Sequence, residues 1–266
     1  MPIVRGVDIA VTQAGDTGTP VVFWGHGFGV SVEQDQRMPI LEWARLTDRY
    51  RVVRWDARGH GRSGGGPGAD DYRWDNLARD LAALADALGV GRFVAGGVSM
   101  GAATALHAAT LFPERIAGLV LALAPTAYAT RAAQADRYLA GAGLVEREGI
   151  EAYVDAVNAE PVPEILSRFA ASYRFSPAVP DHLFPSALRG AAASDLPAED
   201  AVRAIRAPAL LLAWDTDSGH PVSTAERLVE LLPNAELHVA HRLREVGTWT
   251  DRVESFLASV APAGVL

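Results

Sequence analysis

A serine flanked by glycines is the feature of this sequence that most directly indicates chemistry. Residues Gly97–Gly101 read GVSMG, a G-x-S-x-G pattern centred on Ser99. A tight, strained turn at such a serine lifts its hydroxyl clear of the backbone, and the flanking glycines avoid steric collision. A helix that begins at this turn directs free N–H groups and its positive dipole end at an oxyanion. We therefore predict that Ser99 is a nucleophile.

The elements predicted around Ser99 provide the strand–turn–helix setting that this motif requires. Phe93–Ala95 is predicted to form a strand and Ala102–Phe112 a helix. Elsewhere, strand-like apolar runs alternate with helical periodicity, which indicates a parallel sheet with helices on both faces. The other strands are predicted at Val7–Thr12, Pro20–Gly25, Arg51–Asp56, Ile116–Ala124, Ala209–Trp214 and Ala235–Ala240, and the other helices at Leu77–Leu88, Ser223–Leu232 and about Thr248–Ser259.

The stretch from about Thr126 to Ala204 interrupts this alternation, because it is helix-like, contains several prolines and has no convincing strand. We therefore predict an α/β core formed by residues 1–125 and 205–266, with residues 126–204 inserted as a helical cap over the strand ends. Aromatic residues concentrate in the cap, where they either pack it against the core or line an apolar substrate pocket. They are Tyr128, Tyr138, Tyr153, Tyr173, Phe169, Phe175 and Phe184.

Three motifs in order along the chain resemble those of the α/β-hydrolase superfamily. His26–Gly29 (HGFG) follows a predicted strand, Asp56–Ser63 (DARGHGRS) follows another, and the serine motif comes third. Asp217, four residues before Pro221 and after an apolar strand, is similar to the family's acid loop. The resemblance covers nearly the whole chain. It implies an α/β-hydrolase fold with a mostly parallel eight-stranded sheet flanked by helices, a reduced first strand, and a helical cap after strand six.

The resemblance also implies roles for particular residues. It implies a Ser…Asp…His order along the chain, in which Ser99 is the nucleophile and Asp217 the acid, and it implies no cofactor. The backbone N–H groups of Phe28 and Met100 would then form the oxyanion hole. We expect His26 to be structural, held by backbone groups of its loop.

The base is the position at which this chain departs from the family pattern. The family's histidine lies a few residues past the last strand, a position that falls near Arg244. His241 follows the strand directly and is the first choice, since its distance from the last helix suits a shortened loop. His220 is the alternative because it lies three residues from Asp217 on the acid loop, and a site without an orthodox triad is the third interpretation. We prefer Asp217 to Asp215 as the acid because of its spacing to the following proline.

Composition and charge exclude several other classes of protein. With 49% hydrophobic and 21% charged residues, the 266-residue chain is unlike a disordered protein. A net charge of −8 without long runs of one sign argues against a nucleic-acid or anionic-membrane partner. The absence of cysteine excludes disulfides, cysteine-ligated zinc and a thiol nucleophile. No H-E-x-x-H or P-loop motif occurs, so we predict no metal and no cofactor.

We predict a serine hydrolase that cleaves a small ester or lactone through an acyl-serine intermediate. Its expected partner is a small-molecule substrate with apolar or aromatic groups, while the oligomeric state cannot be predicted from these patterns. We expect a cytoplasmic location, because we find no signal peptide and no apolar run long enough to span a membrane. Two alternatives stay open: a member of the fold that catalyses elimination, cyclisation or acyl transfer in a biosynthetic pathway, and a small-ligand-binding member without turnover.

Overall fold

A computed structural model describes residues 1–38, 40–169 and 174–261 of the chain. Within these residues, the centre of the molecule is a seven-stranded sheet in the order β3-β5-β4-β6-β7-β8-β9. β3 pairs antiparallel with β5, and the other neighbouring strands pair parallel. The strands are β1 (Ile3–Val4), β2 (Val7–Asp8), β3 (Val11–Ala14), β4 (Val21–Gly25), β5 (Arg51–Trp55), β6 (Phe93–Val98), β7 (Ile116–Ala122), β8 (Ala209–Trp214) and β9 (Ala235–Ala240).

The N-terminal strands differ from the expectation of eight strands in one sheet. The predicted strand Val7–Thr12 is divided between β2 and β3, and β2 pairs with β1 in a separate two-stranded ribbon. The division arises because Ile9 and Ala10 do not donate to a neighbouring strand of the main sheet. The N–H of Ile9 donates to the Pro2 carbonyl at 3.0 Å, and that of Ala10 to the Ser63 hydroxyl at 2.8 Å.

Helices cover both faces of the sheet, and this explains the apolar character of its central strands. β4, β6, β7 and β8 are buried along their whole length, as expected for parallel strands packed on both sides. One face packs against α3, α4 and α9, and the other against α2 and α11. The helices are α1 (Val32–Asp35), α2 (Trp43–Thr47), α3 (Trp74–Ala87), α4 (Met100–Leu111), α5 (Arg131–Glu148), α6 (Ile150–Asn158), α7 (Phe184–Ala192), α8 (Glu199–Ala204), α9 (Val222–Leu231), α10 (Leu243–Val246) and α11 (Trp249–Val260).

The chain between β7 and β8 contains α5 to α8 and two short 3₁₀ helices, Tyr128–Thr130 and Glu164–Phe169, and its described residues include no strand. α5 packs against both α6 and α7. Two of the predicted cap aromatics are not described: Tyr173 lies outside the described residues, and so does the side chain of Phe169. Across the described part of the chain, no helix combines the length and the apolar character that crossing a membrane would require.

Two glycines allow β6 and α4 to approach the end of β4 very closely. A Cβ added to Gly97 would lie 2.5 Å from the carbonyl oxygen of Gly25, and one added to Gly101 would lie 2.1 Å from the same oxygen. Both distances are far below contact distance, and the obstacle is backbone, which cannot turn aside. The glycines of the serine motif are therefore required by packing against β4.

We expect the Gly101→Ala substitution to lower the free energy of unfolding by about 3 kcal/mol, because α4 must move away from β4 to make room for the methyl group. The matched control is Gly91→Ala, since a Cβ at Gly91 meets no atom within 4 Å. The control should change stability by less than about 0.5 kcal/mol. Urea titration of both variants measures the difference, and equal stabilities would contradict the packing argument.

Two buried histidines hold the loops that follow β4 and β5. His26 accepts the Ala57 N–H through Nε2 at 2.9 Å, so its Nδ1 carries the proton and donates to the Gly27 carbonyl at 2.7 Å. His60 donates through Nδ1 to the Arg58 carbonyl at 2.9 Å, and its Nε2 has no partner within the described chain. Burial lowers the pKa of His26 to about 4 and that of His60 to about 3. Both rings are therefore neutral at pH 7, which agrees with the structural role expected of His26.

These pKa values predict acid destabilisation of the fold. Histidine in an unfolded chain has a pKa of about 6.5, so below that pH the unfolded state binds more protons than the folded state. The stabilisation is fully present above about pH 6.5 and is lost progressively as the pH falls from there toward the folded-state values. We expect each of the two histidines to lower the free energy of unfolding by about 2 kcal/mol between pH 7 and pH 5. Asp35 opposes this loss, because burial raises its pKa to about 7 and the folded state gains a proton there over the same range.

Urea titrations at the two pH values measure this loss. His60→Asn should remove about half of the contribution from the two histidines, so its change in stability between the two pH values should differ from that of the wild type by about 2 kcal/mol. The control is His182→Asn, which changes an exposed histidine and should leave the pH dependence as in the wild type. A His60→Asn protein with an unchanged pH dependence would show that burial of this ring does not exclude its proton.

Candidate active site

Ser99 lies at the sharp turn between β6 and α4. Its φ of 54° and ψ of −112° are unusual for a residue with a side chain, and such strain costs on the order of 1–3 kcal/mol. Two backbone hydrogen bonds of 3.0 Å hold the turn: the Ser99 N–H donates to the Ala122 carbonyl, and the Ala103 N–H donates to the Ser99 carbonyl. The end of β7 and the first turn of α4 therefore fix the position of the serine.

The hydroxyl of Ser99 is hydrogen-bonded to His220. His220 Nε2 lies 2.9 Å from Ser99 Oγ, and His220 Nδ1 lies 2.8 Å from Asp217 Oδ2. An ionised carboxylate can only accept, so Nδ1 carries the proton and Nε2 accepts from the serine hydroxyl. The three groups thus form a continuous chain in which the imidazole can take the serine proton, while the carboxylate stabilises the resulting imidazolium.

Asp217 is held as a carboxylate by several donors in a largely buried position, with a side chain that is 11% exposed. Burial by itself raises the pKa of Asp217, but the hydrogen bond and charge of His220 oppose it, together with donation from the Trp214 indole and the Gly219 N–H. Their combined effect exceeds that of burial and lowers the pKa to about 2. Asp217 is therefore ionised at neutral pH, as a residue that orients an imidazole must be.

The acid and the base share one short loop, which continues from β8. The loop turns at Thr216, whose φ is 66°, and the Gly219 N–H donates to Asp217 Oδ1 at 3.0 Å. The Thr126 N–H donates to the Gly219 carbonyl at 3.2 Å and thereby ties the loop to the segment that follows β7. These contacts direct His220 back toward the end of β6, where Ser99 lies.

The structure does not bring His241, the preferred base of the sequence analysis, to Ser99. His241 Nδ1 lies 2.7 Å from Asp215 Oδ2, and the His241 side chain is 64% exposed. β9 lies three strands from β6, or roughly 14 Å at the usual spacing, whereas β8 lies two strands away. His241 follows β9 directly, so no loop carries it back across the sheet. His220 follows β8 by six residues and has that reach.

The two predicted oxyanion donors, Phe28 and Met100, lie next to the serine, the first on a loop and the second at the start of α4. Met100 is the first residue of α4, so its N–H has no acceptor inside the helix. In the described chain, neither this N–H nor that of Phe28 donates a backbone hydrogen bond. The Phe28 loop runs beside the serine, because a Cβ added to Gly27 would lie 3.8 Å from Ser99 Cβ. Both N–H groups are thus free to bind an oxyanion at Ser99.

Residues between β7 and β8 hold the Phe28 loop in place. The Ala178 N–H donates to the Gly29 carbonyl at 2.7 Å, and the Ala178 carbonyl accepts the Gly61 N–H at 2.6 Å. The Gln34 amide donates to the Ser176 carbonyl at 2.8 Å. On the core side, Asp56 contributes by accepting the N–H of residue 32 at 2.8 Å. The loop that carries Phe28 is thus fixed from both sides.

Most of the predicted cap aromatics in the described chain form one cluster with Phe28. The ring centroid of Phe28 lies 5.3 Å from that of Tyr138 and 5.9 Å from that of Phe184. Tyr153 lies 5.2 Å from Phe184 and 6.2 Å from Phe175. The rings pack on one another, and the inclusion of Phe28 makes the cluster an apolar wall beside one oxyanion donor.

Sequence reasoning missed the part played by Trp214, whose indole N–H donates to Asp217 Oδ2 at 2.9 Å. Trp214 is the last residue of a buried strand, and its own side chain is almost wholly buried. In the sequence, a tryptophan at this position is indistinguishable from any other core residue. The single local signal is that Trp214 lies three residues before Asp217. This spacing indicates a contact only when the turn at Thr216 is known, because the turn brings the two side chains together.

Comparison with known proteins finds relatives of the same fold. A sequence profile described as "alpha/beta hydrolase fold" matches residues 20–141. 3-Oxoadipate enol-lactonase 2 of Acinetobacter baylyi is 31% identical over 145 residues, which is 54% of this chain and 51% of that protein. The chain thus matches about half the length of this curated relative.

Solved structures share the fold over nearly the whole chain. The enol-lactonase from Burkholderia xenovorans superposes with a TM-score of 0.78 at 22% identity, and the alignment covers 97% of each chain. A thermophilic esterase from Thermogutta terrifontis gives a TM-score of 0.75 at 23% identity and covers 96% of this chain and 94% of its own. Motifs, sheet order and structural relatives lead to one assignment: this chain has the α/β-hydrolase fold.

Proposed function

We propose that this chain is a serine hydrolase that cleaves a small ester or lactone through an acyl-serine intermediate. The observation that carries the proposal is the unbroken chain of hydrogen bonds from Ser99 through His220 to Asp217, with distances of 2.9 Å and 2.8 Å. These hydrogen bonds provide what an alcohol needs to act as a nucleophile: a base that removes its proton and a carboxylate that orients the base. The similarity of this chain to an enol-lactonase and to a thermophilic esterase supports an ester or lactone as the substrate class.

In the proposed reaction, Ser99 Oγ attacks the carbonyl carbon as His220 Nε2 removes its proton. Charge develops on the carbonyl oxygen, which the N–H groups of Phe28 and Met100 stabilise. His220 then gives the proton to the departing alcohol oxygen as the tetrahedral intermediate collapses. For a lactone, this alcohol stays tethered to the acyl group. Water, activated by the same imidazole, attacks the acyl-serine and restores the enzyme.

The choice of His220 rather than His241 as the base follows from the contacts of each ring. Nε2 of His220 is bonded to the nucleophile, whereas His241 is bonded to Asp215 and faces solvent. We further propose that residues 126–204 act as the cap over the strand ends. The aromatic cluster around Phe28 then favours substrates with an apolar or flat acyl group next to the scissile bond.

Replacing the nucleophile tests the proposal directly. Ser99→Ala should lower turnover of p-nitrophenyl acetate by about 10⁴-fold or more, since the oxyanion hole alone retains little of the rate. It should also abolish labelling by a fluorophosphonate probe, and mass spectrometry of the wild type with a slow ester should find the acyl group on Ser99. A wild-type protein that neither labels nor turns over esters would rule out the proposed function.

A matched pair of histidine variants tests the assignment of the base. His220→Gln should lower kcat/KM by about 10⁴-fold, because no other imidazole contacts Ser99 within the described residues. The kcat/KM of His241→Gln should stay within about threefold of that of the wild type, since the exposed contact between His241 and Asp215 contributes little. Thermal melting of both variants controls for folding. The reverse order of activities would assign the base to His241.

A further inference from the structure

One oxygen of the acid accepts two side-chain hydrogen bonds. Asp217 Oδ2 lies 2.8 Å from His220 Nδ1 and 2.9 Å from the indole nitrogen of Trp214. The Gly219 N–H occupies the other oxygen at 3.0 Å. A carboxylate held by a single partner can rotate about its Cβ–Cγ bond, whereas three donors on two oxygens define its plane. The indole therefore helps to determine the direction in which Asp217 presents its charge to the imidazole.

The indole that makes this contact is itself rigidly held. Trp214 is 2% exposed and ends β8, and its ring stacks on that of Trp249 with centroids 5.9 Å apart and planes at 22°. Trp249 is fully buried at the start of α11, and its indole nitrogen has no partner in the described chain. The two tryptophans thus stack on each other in the core, but only the N–H of Trp214 is hydrogen-bonded within the described chain, and its acceptor is Asp217.

We infer that Trp214 is a positioning residue that orients the Asp217 carboxylate for His220 through its indole N–H. The inference rests on the proposed function, in which Asp217 orients the base. The N–H fixes the plane of the carboxylate and so directs Oδ2 at the imidazole. The charge-assisted contact has no competitor from solvent because the ring is buried, so its directional effect is strong.

The stacked pair supplies its own control. Trp214→Phe and Trp249→Phe each replace an indole of the same stack by a phenyl ring, but only the first removes an N–H that is bonded to Asp217. We expect Trp214→Phe to lower kcat about tenfold with KM within about twofold, which is the effect of losing one buried hydrogen bond to a charged group. Trp249→Phe reports the loss of packing alone. Equal kcat values in the two variants would overturn the inference.

A spectroscopic measurement separates positioning from general damage to the core. The His220 Nδ1 proton, hydrogen-bonded to a carboxylate, gives a strongly deshielded proton resonance that His220→Gln identifies by its disappearance. In Trp214→Phe, this resonance should move upfield, because the carboxylate is no longer held in the plane that directs Oδ2 at the imidazole and the Nδ1–H hydrogen bond weakens. In Trp249→Phe it should stay in place. A resonance unmoved in Trp214→Phe contradicts the inference.

The inference can be tested even if Trp214→Phe does not fold. In the full-length protein with ¹⁵N-labelled indoles, Asp217→Ala removes the acceptor and should shift the Trp214 N–H signal while leaving that of Trp249 unchanged. No shift at Trp214 would overturn the contact. These spectra do not depend on turnover, so a positive result together with a failure of ester hydrolysis or fluorophosphonate labelling would reject the proposed function and retain the contact.

Discussion

The hydrogen bond between Asp217 and His220 is the interaction on which the candidate site depends, and it is made inside the single short loop between β8 and α9. Because both residues belong to this loop, their mutual geometry is determined by its backbone rather than by the packing of two separate strands. The turn at Thr216 and the bond from the Gly219 N–H to the carboxylate establish that geometry locally. The rest of the structure needs only to bring the finished pair to Ser99.

The parallel sheet performs that task because the carboxyl ends of its strands meet at one edge. Ser99 follows β6, the Phe28 loop follows the adjacent β4, and the acid–base loop follows β8, with β7 between. The strain at Ser99 reduces stability. Four central strands buried along their length, with helices on both faces, provide the packing that offsets this local strain.

The elements that could be predicted from the sequence are those with a local signal. The apolar run at Ala209–Trp214 predicted its strand to the residue, because burial on both faces leaves an unbroken run. Ala235–Ala240 was also predicted to the residue, although it is an edge strand that is mostly half-buried or exposed. The glycine-flanked serine predicted the turn between β6 and α4 for a similarly local reason. The division between β2 and β3 could not be predicted, since it depends on the Ser63 hydroxyl, which lies 53 residues away from its partner Ala10.

The sequence did not decide between His220 and His241 as the base, because spacing along the chain does not determine whether a loop directs its histidine toward Ser99 or toward solvent. His241 and Asp215 follow two adjacent strands, and they form a hydrogen bond, yet the pair points to solvent away from the serine. Two carboxylate–imidazole pairs thus take their acids from the same loop, two residues apart. They differ in burial: Asp217 is 11% exposed and bonded to an indole from the core, whereas Asp215 is 37% exposed. A buried carboxylate must be paired to stay charged, and a paired buried carboxylate can orient an imidazole where an exposed one is largely screened. Contact with the core at Trp214 therefore distinguishes the pair that contacts Ser99 from the pair that faces solvent, and it is a property of the folded chain.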